Sequence, residues 1–283
     1  MSYELIDGKL VASKIRKEIK DRVTQIRDEH SRVPGLAAVL VGDNAASEIY
    51  VRNKRKACED VGIYSKECKL PAETTTEELL NLINNLNNDE DINGILVQLP
   101  LPEHINESVV LNSVYPKKDV DGFHPINAGR LFQGRPKFIA CTPHGIIKML
   151  EFYDIKIEGK NAVVLGRSNI VGKPVAILLM QKHATVTICH SRTKNLPGIL
   201  KSADIIVAAI GRANFVTSDM VKEGAIIIDV GINRLETGKL AGDVDFENVK
   251  DICSYITPVP GGVGPMTITM LLWNTLLSFE EKL

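Results

Sequence analysis

The stretch that decides the fold is Asn161–Pro174, with the sequence NAVVLGRSNIVGKP. Its first residues are largely apolar and predict a buried strand, and the residues from Gly172 onward predict the start of a helix. Gly166 and Gly172 allow a tight turn between the two elements and a close approach of backbone N–H groups to a pyrophosphate. Ser168, however, stands where the G-x-G-x-x-G pattern has its second glycine. The motif alone leaves two interpretations open, a dinucleotide-binding turn and an ordinary strand-to-helix turn.

Strands and helices alternate on both sides of this stretch. Short apolar runs predict further strands at 36–41, 64–70, 94–99, 185–189, 204–208 and 225–229. The segments around them predict helices at 9–30, 45–61, 75–88, 142–153 and 266–280. Such alternation favours parallel sheets with crossover helices, and 283 residues suffice for about two domains. We expect an α/β protein of two α/β units, joined by the helix near residues 142–154.

The composition excludes several classes of protein. Lys and Arg number 34 against 35 Asp and Glu, so the chain has no general attraction for nucleic acid or an anionic membrane. No apolar run approaches the roughly 20 residues that cross a bilayer, and the first residues lack the pattern of a signal peptide. The 5 cysteines form no C-x-x-C pair, which argues against a zinc or redox site and is typical of a reducing compartment. We expect a cytoplasmic protein without nucleic-acid or membrane partners.

The strand after the glycine turn indicates which dinucleotide would bind. Strands that bind NAD commonly end in Asp or Glu, whereas the predicted strand 185–189 is followed by His190-Ser191-Arg192. An acid would repel a 2′-phosphate, while Ser191, Arg192 and the nearby Arg167 could hold one. This pattern predicts NADP, although each arginine taken singly could be a solvated loop residue. Ile232, after a later strand, is either a contact for the nicotinamide-ribose end or an ordinary loop residue.

Four polar residues in the first half mark a second candidate site. Tyr50 and Lys54 lie four apart on a predicted helix and share one face, Gln98 ends a strand, and Asp121 lies in a loop before Gly122. A lysine beside apolar strand ends loses its proton more easily, which suits proton transfer near neutral pH. Each residue taken alone could instead be structural. Asp119 and Asp121 have no further acid nearby, so we predict no metal site.

Five segments carry a resemblance to a known family. They are YVRNKRKACEDVGI (50–63), VQLPLP (97–102), KDVDGFHPINAGRL (118–131), GRSNIVGKP (166–174) and TPVPGGVGPMTITML (257–271). In this order they resemble the bifunctional methylenetetrahydrofolate dehydrogenase/cyclohydrolase family. The resemblance implies two α/β domains flanking a cleft, the second a Rossmann-like NADP-binding domain, with the C-terminal helix returning to the first. The implied boundaries are 1–141 with 262–283 for the catalytic, folate-binding domain and 142–261 for the NADP domain.

The resemblance also implies an activity. The family oxidises 5,10-methylenetetrahydrofolate to 5,10-methenyltetrahydrofolate with NADP and then hydrolyses this product to 10-formyltetrahydrofolate. The expected substrates are tetrahydrofolate derivatives of one-carbon metabolism and purine biosynthesis, and the expected assembly is a homodimer. Two alternatives remain, a monofunctional dehydrogenase and a non-catalytic NADP-binding protein. The intact Lys54 and Gln98 argue against the first, and the presence of Tyr50 and Asp121 beside them argues against the second.

The matching motifs also carry residue roles. They imply that Lys54 moves protons in the hydrolysis and that Gln98 sets the protonation of Lys54. They also imply that Tyr50 flanks the pterin ring and that Asp121 binds the pterin nitrogens. The folate wall is implied at Pro260, Gly261 and Gly264, and NADP binding at Gly166, Arg167, Ser168, Ser191 and Ile232.

Overall fold

The computed structural model describes residues 3–283, which form parallel sheets with helices between the strands. The strands are β1 (Glu4–Leu5), β2 (Gly35–Val41), β3 (Tyr64–Leu70), β4 (Gly94–Val97), β5 (Asn161–Leu165), β6 (Thr185–Cys189), β7 (Ile205–Ala208), β8 (Ile226–Asp229), β9 (Asn233–Arg234), β10 (Leu240–Ala241) and β11 (Tyr255–Ile256). The helices are α1 (Gly8–His30), α2 (Ala45–Val61), α3 (Thr76–Asn88), α4 (Glu107–Ser113), α5 (Pro125–Phe132), α6 (Cys141–Phe152), α7 (Gly172–Gln181), α8 (Leu196–Lys201), α9 (Phe246–Val249) and α10 (Val263–Glu280), with a 3₁₀ turn at Ser218–Met220.

The chain divides into two compact units. One combines Lys14–Cys141 with Ile268–Leu283, and the other combines the chain up to Ser13 with Thr142–Thr267. The first residues group with the second unit because β1 pairs with β11, whereas the family resemblance implied that they belong to the other domain. Residues 262–267 also group with the second unit, whereas the rest of α10 belongs to the first.

The first unit is built on the three-stranded sheet β3-β2-β4, in which both neighbours of β2 run parallel to it. All residues of the central strand β2 are buried, as expected for a parallel strand covered on both faces. Leu79, Ile83 and Leu86 of α3 pack on one face of this sheet, where they join Val39 and Ile95 in one apolar cluster. The sheet thereby fixes the carboxyl end of β4, from which Gln98 follows.

The second unit is built on the six-stranded sheet β1-β11-β8-β7-β5-β6, whose pairs are all parallel. The chain passes from β5 to β6 on one side and then returns to β7 on the other side of β5. Such a reversal separates the loops that follow β5 and β7, and open α/β sheets bind ligands at the crevice this creates. The glycine turn at Gly166 lies at this position.

The fold class predicted from the sequence is confirmed, and the differences lie at the ends of elements and in short elements that were not predicted. β4 ends at Val97, before the predicted end at 99, since Pro100 offers no N–H to a strand ladder. α10 begins at Val263 rather than 266. The edge strand β1 was not predicted, because two residues are too short to show a periodicity. Among the helices of the described chain, none has the length and apolar character that spanning a bilayer requires.

Candidate functional site

Lys54 and Gln98 form a direct hydrogen bond in the first unit. Asn44 caps α2 by accepting from the backbone N–H of Ser47, and Lys54 lies on this helix with only 9% of its surface exposed. Its Nζ donates to Oε1 of Gln98 over 3.0 Å. The Nε2 of Gln98 donates to the carbonyl of Leu99 at 2.7 Å, which leaves the amide oxygen for the lysine. The two predicted residues are therefore joined although 44 positions separate them.

The environment of Lys54 makes its ammonium easier to deprotonate. Burial lowers the pKa of Lys54, and the negative charge of Asp121 only partly opposes this effect. The pKa of Asp121 is raised by its own burial, against the opposing influence of Lys54 and a hydrogen bond with the Cys141 thiol. The charges of Lys54 and Asp121 thus each affect the pKa of the other group. A buried amine of lowered pKa beside a carboxyl group gives up its proton more readily than an exposed lysine, which suits a role in proton transfer.

Tyr50 lies one helical turn before Lys54 on α2. The residue is 41% exposed, so its ring is accessible to a flat ligand. The structure therefore places all four predicted catalytic residues in one unit. Lys54 is hydrogen-bonded to Gln98 and influenced by the charge of Asp121, and Tyr50 lies on the same helix as Lys54.

Asp119 has a structural role in the loop that carries Asp121. Its buried carboxylate accepts from the backbone N–H of Phe123 at 3.1 Å, from that of His124 at 2.9 Å and from Nδ2 of Asn127 at 2.7 Å. Burial raises the pKa of Asp119 to about 6 in spite of these donors. Its oxygens face protein donors, and across residues 3–283 no group of three or more His, Cys, Asp or Glu side chains is arranged to hold a metal ion.

Two polar side chains of α10 hold the same loop, and the sequence analysis missed them. Asn274, 1% exposed, donates from Nδ2 to the carbonyl of Val120 at 2.8 Å and to that of Ile139 at 3.0 Å. One turn further on, the Ser278 hydroxyl lies 2.8 Å from the carbonyl of Lys117. Both amide hydrogens of Asn274 are used to connect the residue before Asp121 to the segment before α6. The available signal was the spacing of four between Asn274 and Ser278, which places two polar residues on one face of a largely apolar helix.

In the second unit, the glycine turn after β5 is closed too tightly for any side chain. Gly166 has φ +124°, and a Cβ built on it would lie 2.3 Å from the carbonyl oxygen of Ala209. A Cβ on Gly172 would lie 2.3 Å from the oxygen of Gly166. The Ser168 hydroxyl accepts from the backbone N–H of Val171 at 3.1 Å and from that of Gly172 at 3.3 Å. Ser168, in the place of the second glycine, therefore helps to form the first turn of α7.

A cavity of about 320 Å³ opens beside this turn. Its lining comes from the carboxyl ends of β5, β6 and β7 and comprises Leu165, Gly166, Arg167, His190, Ser191, Leu196, Ala209, Ile210, Arg212 and Phe215. The lining includes three of the predicted cofactor residues, Gly166, Arg167 and Ser191, but not Ser168 or Ile232. Arg192, which the sequence also suggested, does not line it, whereas Arg212, which the sequence analysis did not single out, does. The lining contains no Asp or Glu.

Two buried aspartates organise the loops next to this cavity. Asp229 accepts from the backbone N–H groups of Gly231 at 2.9 Å, Asp243 at 2.8 Å and Val244 at 2.9 Å. Asp243, with 0% exposure, accepts in turn from the backbone N–H of Arg212 at 2.8 Å. Burial raises the pKa of Asp229 to about 6. The position of both carboxylates is thus set by backbone donors of three separate loop segments.

The predicted folate-wall residues Pro260, Gly261 and Gly264 lie in the second unit, between β11 and the first turn of α10. A Cβ on Gly264 would lie 3.7 Å from Cδ1 of Ile232. The structure therefore brings the predicted nicotinamide contact Ile232, which is 47% exposed, next to one of the predicted folate contacts.

Comparison with known proteins gives one consistent result. The family model described as tetrahydrofolate dehydrogenase/cyclohydrolase, catalytic domain, matches residues 6–121, and its NAD(P)-binding counterpart matches residues 140–283. The bifunctional protein FolD of Halalkalibacterium halodurans is 58% identical over 281 residues, which cover 99% of this chain and 100% of that protein. The crystal structure of the bifunctional FolD of Campylobacter jejuni has a TM-score of 0.98 at 52% identity, with full coverage of both chains. That of Trypanosoma brucei FolD, complexed with NADP cofactor and inhibitor, has a TM-score of 0.96 at 39% identity and covers 100% of this chain and 99% of that one.

Proposed function

The chain belongs to the tetrahydrofolate dehydrogenase/cyclohydrolase family, and on this premise we propose that Lys54, Gln98 and Asp121 carry its chemistry. The protein is a bifunctional enzyme. It oxidises 5,10-methylenetetrahydrofolate to the methenyl form with NADP and hydrolyses that form to 10-formyltetrahydrofolate. The predictions of family, activity, cofactor and folate substrates are confirmed.

The observation that carries the assignment of the residues is the hydrogen bond of 3.0 Å between Nζ of the buried Lys54 and Oε1 of Gln98. An amide oxygen accepts from an amine or an ammonium group without adding a negative charge. The burial that lowers the pKa of Lys54 is therefore not cancelled by its nearest hydrogen-bond partner. This environment supports a lysine that cycles between two protonation states.

Lys54 is our candidate for the proton carrier of the hydrolysis. Water adds to the methenyl carbon and loses a proton, which the neutral amine of Lys54 accepts. The ammonium of Lys54 returns this proton to N5, the bond from the carbon to N5 breaks, and the hydroxyl left on the carbon loses its own proton to solvent as the formyl group forms on N10. Gln98 holds the amine during both transfers, and the charge of Asp121 stabilises the ammonium form.

Folate binding is assigned to residues with flat or polar surfaces. Tyr50 offers an exposed ring face on which a pterin stacks. Asp121 offers a carboxyl group for the pterin amino and ring nitrogens. In our proposal Pro260, Gly261 and Gly264 form the folate wall, since glycines let the protein backbone come close to a flat ligand.

The second unit fits NADP on two observations. Gly166 and Gly172 form a turn that has no room for a Cβ at either position. The adjoining cavity is lined by Arg167 and Ser191 and by no acidic residue. NADP, when bound, accepts the hydride of the oxidation. In our proposal the turn with Ser168 holds the pyrophosphate, Arg167 and Ser191 hold the 2′-phosphate, and Ile232 contacts the nicotinamide-ribose end.

We also propose which domain binds each ligand, the oligomeric state of the protein and its cellular compartment. We assign folate binding to residues 1–141 with 262–283 and NADP binding to 142–261. A homodimer is supported by the edge strand β6, where Ile188 is 41% exposed, since an open edge offers unpaired backbone groups to a second chain. A cytoplasmic location is supported by the 5 free cysteines, which fit a reducing compartment.

An absorbance time course with 5,10-methylenetetrahydrofolate tests the function. NADP and NAD are supplied in parallel, and an enzyme-free sample corrects for spontaneous hydrolysis. We expect formyl product above this control, with NADP preferred. Accumulation of the methenyl form without added hydrolysis would reduce the protein to a dehydrogenase. No reaction from folded protein with either cofactor would leave the NADP-binding protein as the better description.

A further inference from the structure

The cavity beside the glycine turn is lined by two arginines and by no acidic residue. Arg167 follows β5 and Arg212 follows β7, and both line the cavity together with the Ser191 hydroxyl and the His190 ring. A concave site of about 320 Å³ lined by two arginines and by neutral polar residues is suited to a multiply charged anion. The proposed function uses Arg167 and Ser191 for this purpose and leaves Arg212 without a role.

The position of Arg212 is fixed by a buried carboxylate. Asp243 accepts from the backbone N–H of Ile210 at 2.7 Å, Gly211 at 3.0 Å and Arg212 at 2.8 Å. With 0% exposure, it also accepts from Nδ2 of Asn233 at 3.0 Å. Three consecutive backbone donors bound to one carboxylate give the loop after β7 a defined conformation, so Arg212 leaves it from a defined point.

The side chain of Arg212 is oriented by an aromatic ring. Its Cζ lies 4.7 Å from the ring centroid of Phe215. Stacking covers one face of the guanidinium, whereas the five N–H donors lie in its plane and stay available. Such an arrangement lowers the entropy lost when the group binds an oxyanion.

Neither guanidinium of the cavity is neutralised by the protein. Within residues 3–283, the ion pairs of the structure include Arg22, Arg27 and Arg55 but not Arg167 or Arg212. The positive charge of the cavity is therefore available to a ligand.

We propose that Arg212 is a specificity-determining residue that binds the 2′-phosphate of NADP as a second guanidinium beside Arg167, with Asp243 as its positioning residue. The inference rests on the proposed function for the location of the cofactor. It deepens that function by assigning the preference for NADP over NAD to two arginines from different strands. The 2′-phosphate is the chemical difference between the two cofactors, so a residue that binds it affects only one of them.

The test compares Arg212→Gln with the parent enzyme in the oxidation of 5,10-methylenetetrahydrofolate. Glutamine keeps hydrogen-bonding capacity and removes the charge. We expect the KM for NADP to rise roughly 10- to 100-fold, the loss of one charge-assisted contact, while kcat and the KM for NAD stay close to the parent values. Arg212→Lys keeps the charge but not the planar fork and gives an intermediate loss. Arg234→Gln, an exposed arginine of the same unit outside the cavity, is the matched control.

A binding measurement separates this inference from the catalytic function. Calorimetry with 2′,5′-ADP and with 5′-AMP measures the contribution of the 2′-phosphate without turnover, and Arg212→Gln should weaken only the 2′,5′-ADP complex. Equal losses for both nucleotides would overturn the inference and place Arg212 on the adenosine moiety, and unchanged binding of both would also overturn it. A parent protein that binds 2′,5′-ADP through Arg212 but does not oxidise the folate would uphold the inference while the proposed function fails. Asp243→Asn should reproduce the selective loss, with thermal unfolding used to confirm that the variant is folded.

Discussion

The ammonium of Lys54 on α2 donates to the amide oxygen of Gln98, which directly follows β4, over a distance of 3.0 Å. A carboxylate in the place of this amide would favour the charged lysine and raise its pKa. The amide holds the lysine without doing so, and the charge of Asp121 acts on the amine less strongly than burial does. Because burial outweighs the charge of Asp121, the amine of Lys54 can both accept and release a proton.

Removal of the amine should separate the two activities. In Lys54→Met, we expect hydrolysis of methenyltetrahydrofolate to fall by roughly 100- to 10,000-fold, the typical contribution of a positioned proton carrier. The oxidation should fall much less, because hydride transfer depends on ring orientation. Absorbance of the methenyl form follows both steps. Lys56→Met, an exposed lysine two positions along α2, serves as the control. Parent-rate hydrolysis by Lys54→Met would refute the role of Lys54.

A charge change at Gln98 should shift the pH dependence of hydrolysis. In Gln98→Glu the new carboxylate stabilises the ammonium of Lys54 and raises its pKa. A higher pH is then needed to produce the neutral amine, so the acidic limb of the rate profile should move upward. Gln98→Leu removes the hydrogen bond without adding charge and should not produce this upward shift. Identical pH profiles for Gln98→Glu and the parent would contradict the coupling.

The buried Asp119 should make stability depend on pH in a defined window. Burial raises the pKa of Asp119 from 3.8 to about 6, so the folded protein holds this proton more tightly than the unfolded chain. Ionisation therefore costs stability as pH rises from about 4 to about 6. The free energy of unfolding of the parent relative to Asp119→Asn should fall by up to roughly 3 kcal/mol across that window and stay level above it. Urea unfolding at several pH values measures this difference.

An exposed aspartate provides the comparison for this experiment. Asp21→Asn on α1 should leave the pH dependence of stability unchanged. A constant difference between the parent and Asp119→Asn from pH 4 to pH 7 would show that the carboxyl group does not titrate in this window.

Asn274 should be important for stability and for the hydrolysis together. Asn274→Leu has a similar volume but leaves the carbonyls of Val120 and Ile139 without their donor, which costs about 2 to 4 kcal/mol. The loop carrying Asp121 loses an anchor, so hydrolysis should slow even in variant protein that is fully folded. Chemical denaturation and the rate at saturating substrate measure the two effects.

The neighbouring Thr275 offers a matched control on the same helix. It is buried and donates to the carbonyl of Leu271 within α10, so Thr275→Val removes a hydrogen bond without releasing the loop. Its loss of stability should be about 1 kcal/mol, with the hydrolysis rate retained. Similar losses of activity in both variants would show that Asn274 does not act through the loop.

Features that depend on residues close together in the sequence could be predicted from it, whereas features that depend on distant residues could not. The glycine turn was predictable because apolar residues, two glycines and a helix start lie within one short stretch, and the structure shows that Gly166 and Gly172 have no room for a Cβ. Tyr50 and Lys54 were placed on one helix face by their spacing alone. The edge strand β1 gave no signal, because its only support is pairing with β11 far along the chain.

The sequence by itself determined the alternation of strands and helices, the glycine turn and the candidate residues, since each depends on neighbours within a few positions. Only the tertiary structure decided which of these residues meet. Gln98 is the partner of Lys54 because β4 ends beside α2, Asn274 holds the loop of Asp121 because α10 packs beside it, and Arg212 enters the cavity because Asp243 fixes the loop after β7. Such contacts join residues far apart in the chain, and their identity depends on the packing of whole sheets and helices rather than on any local pattern.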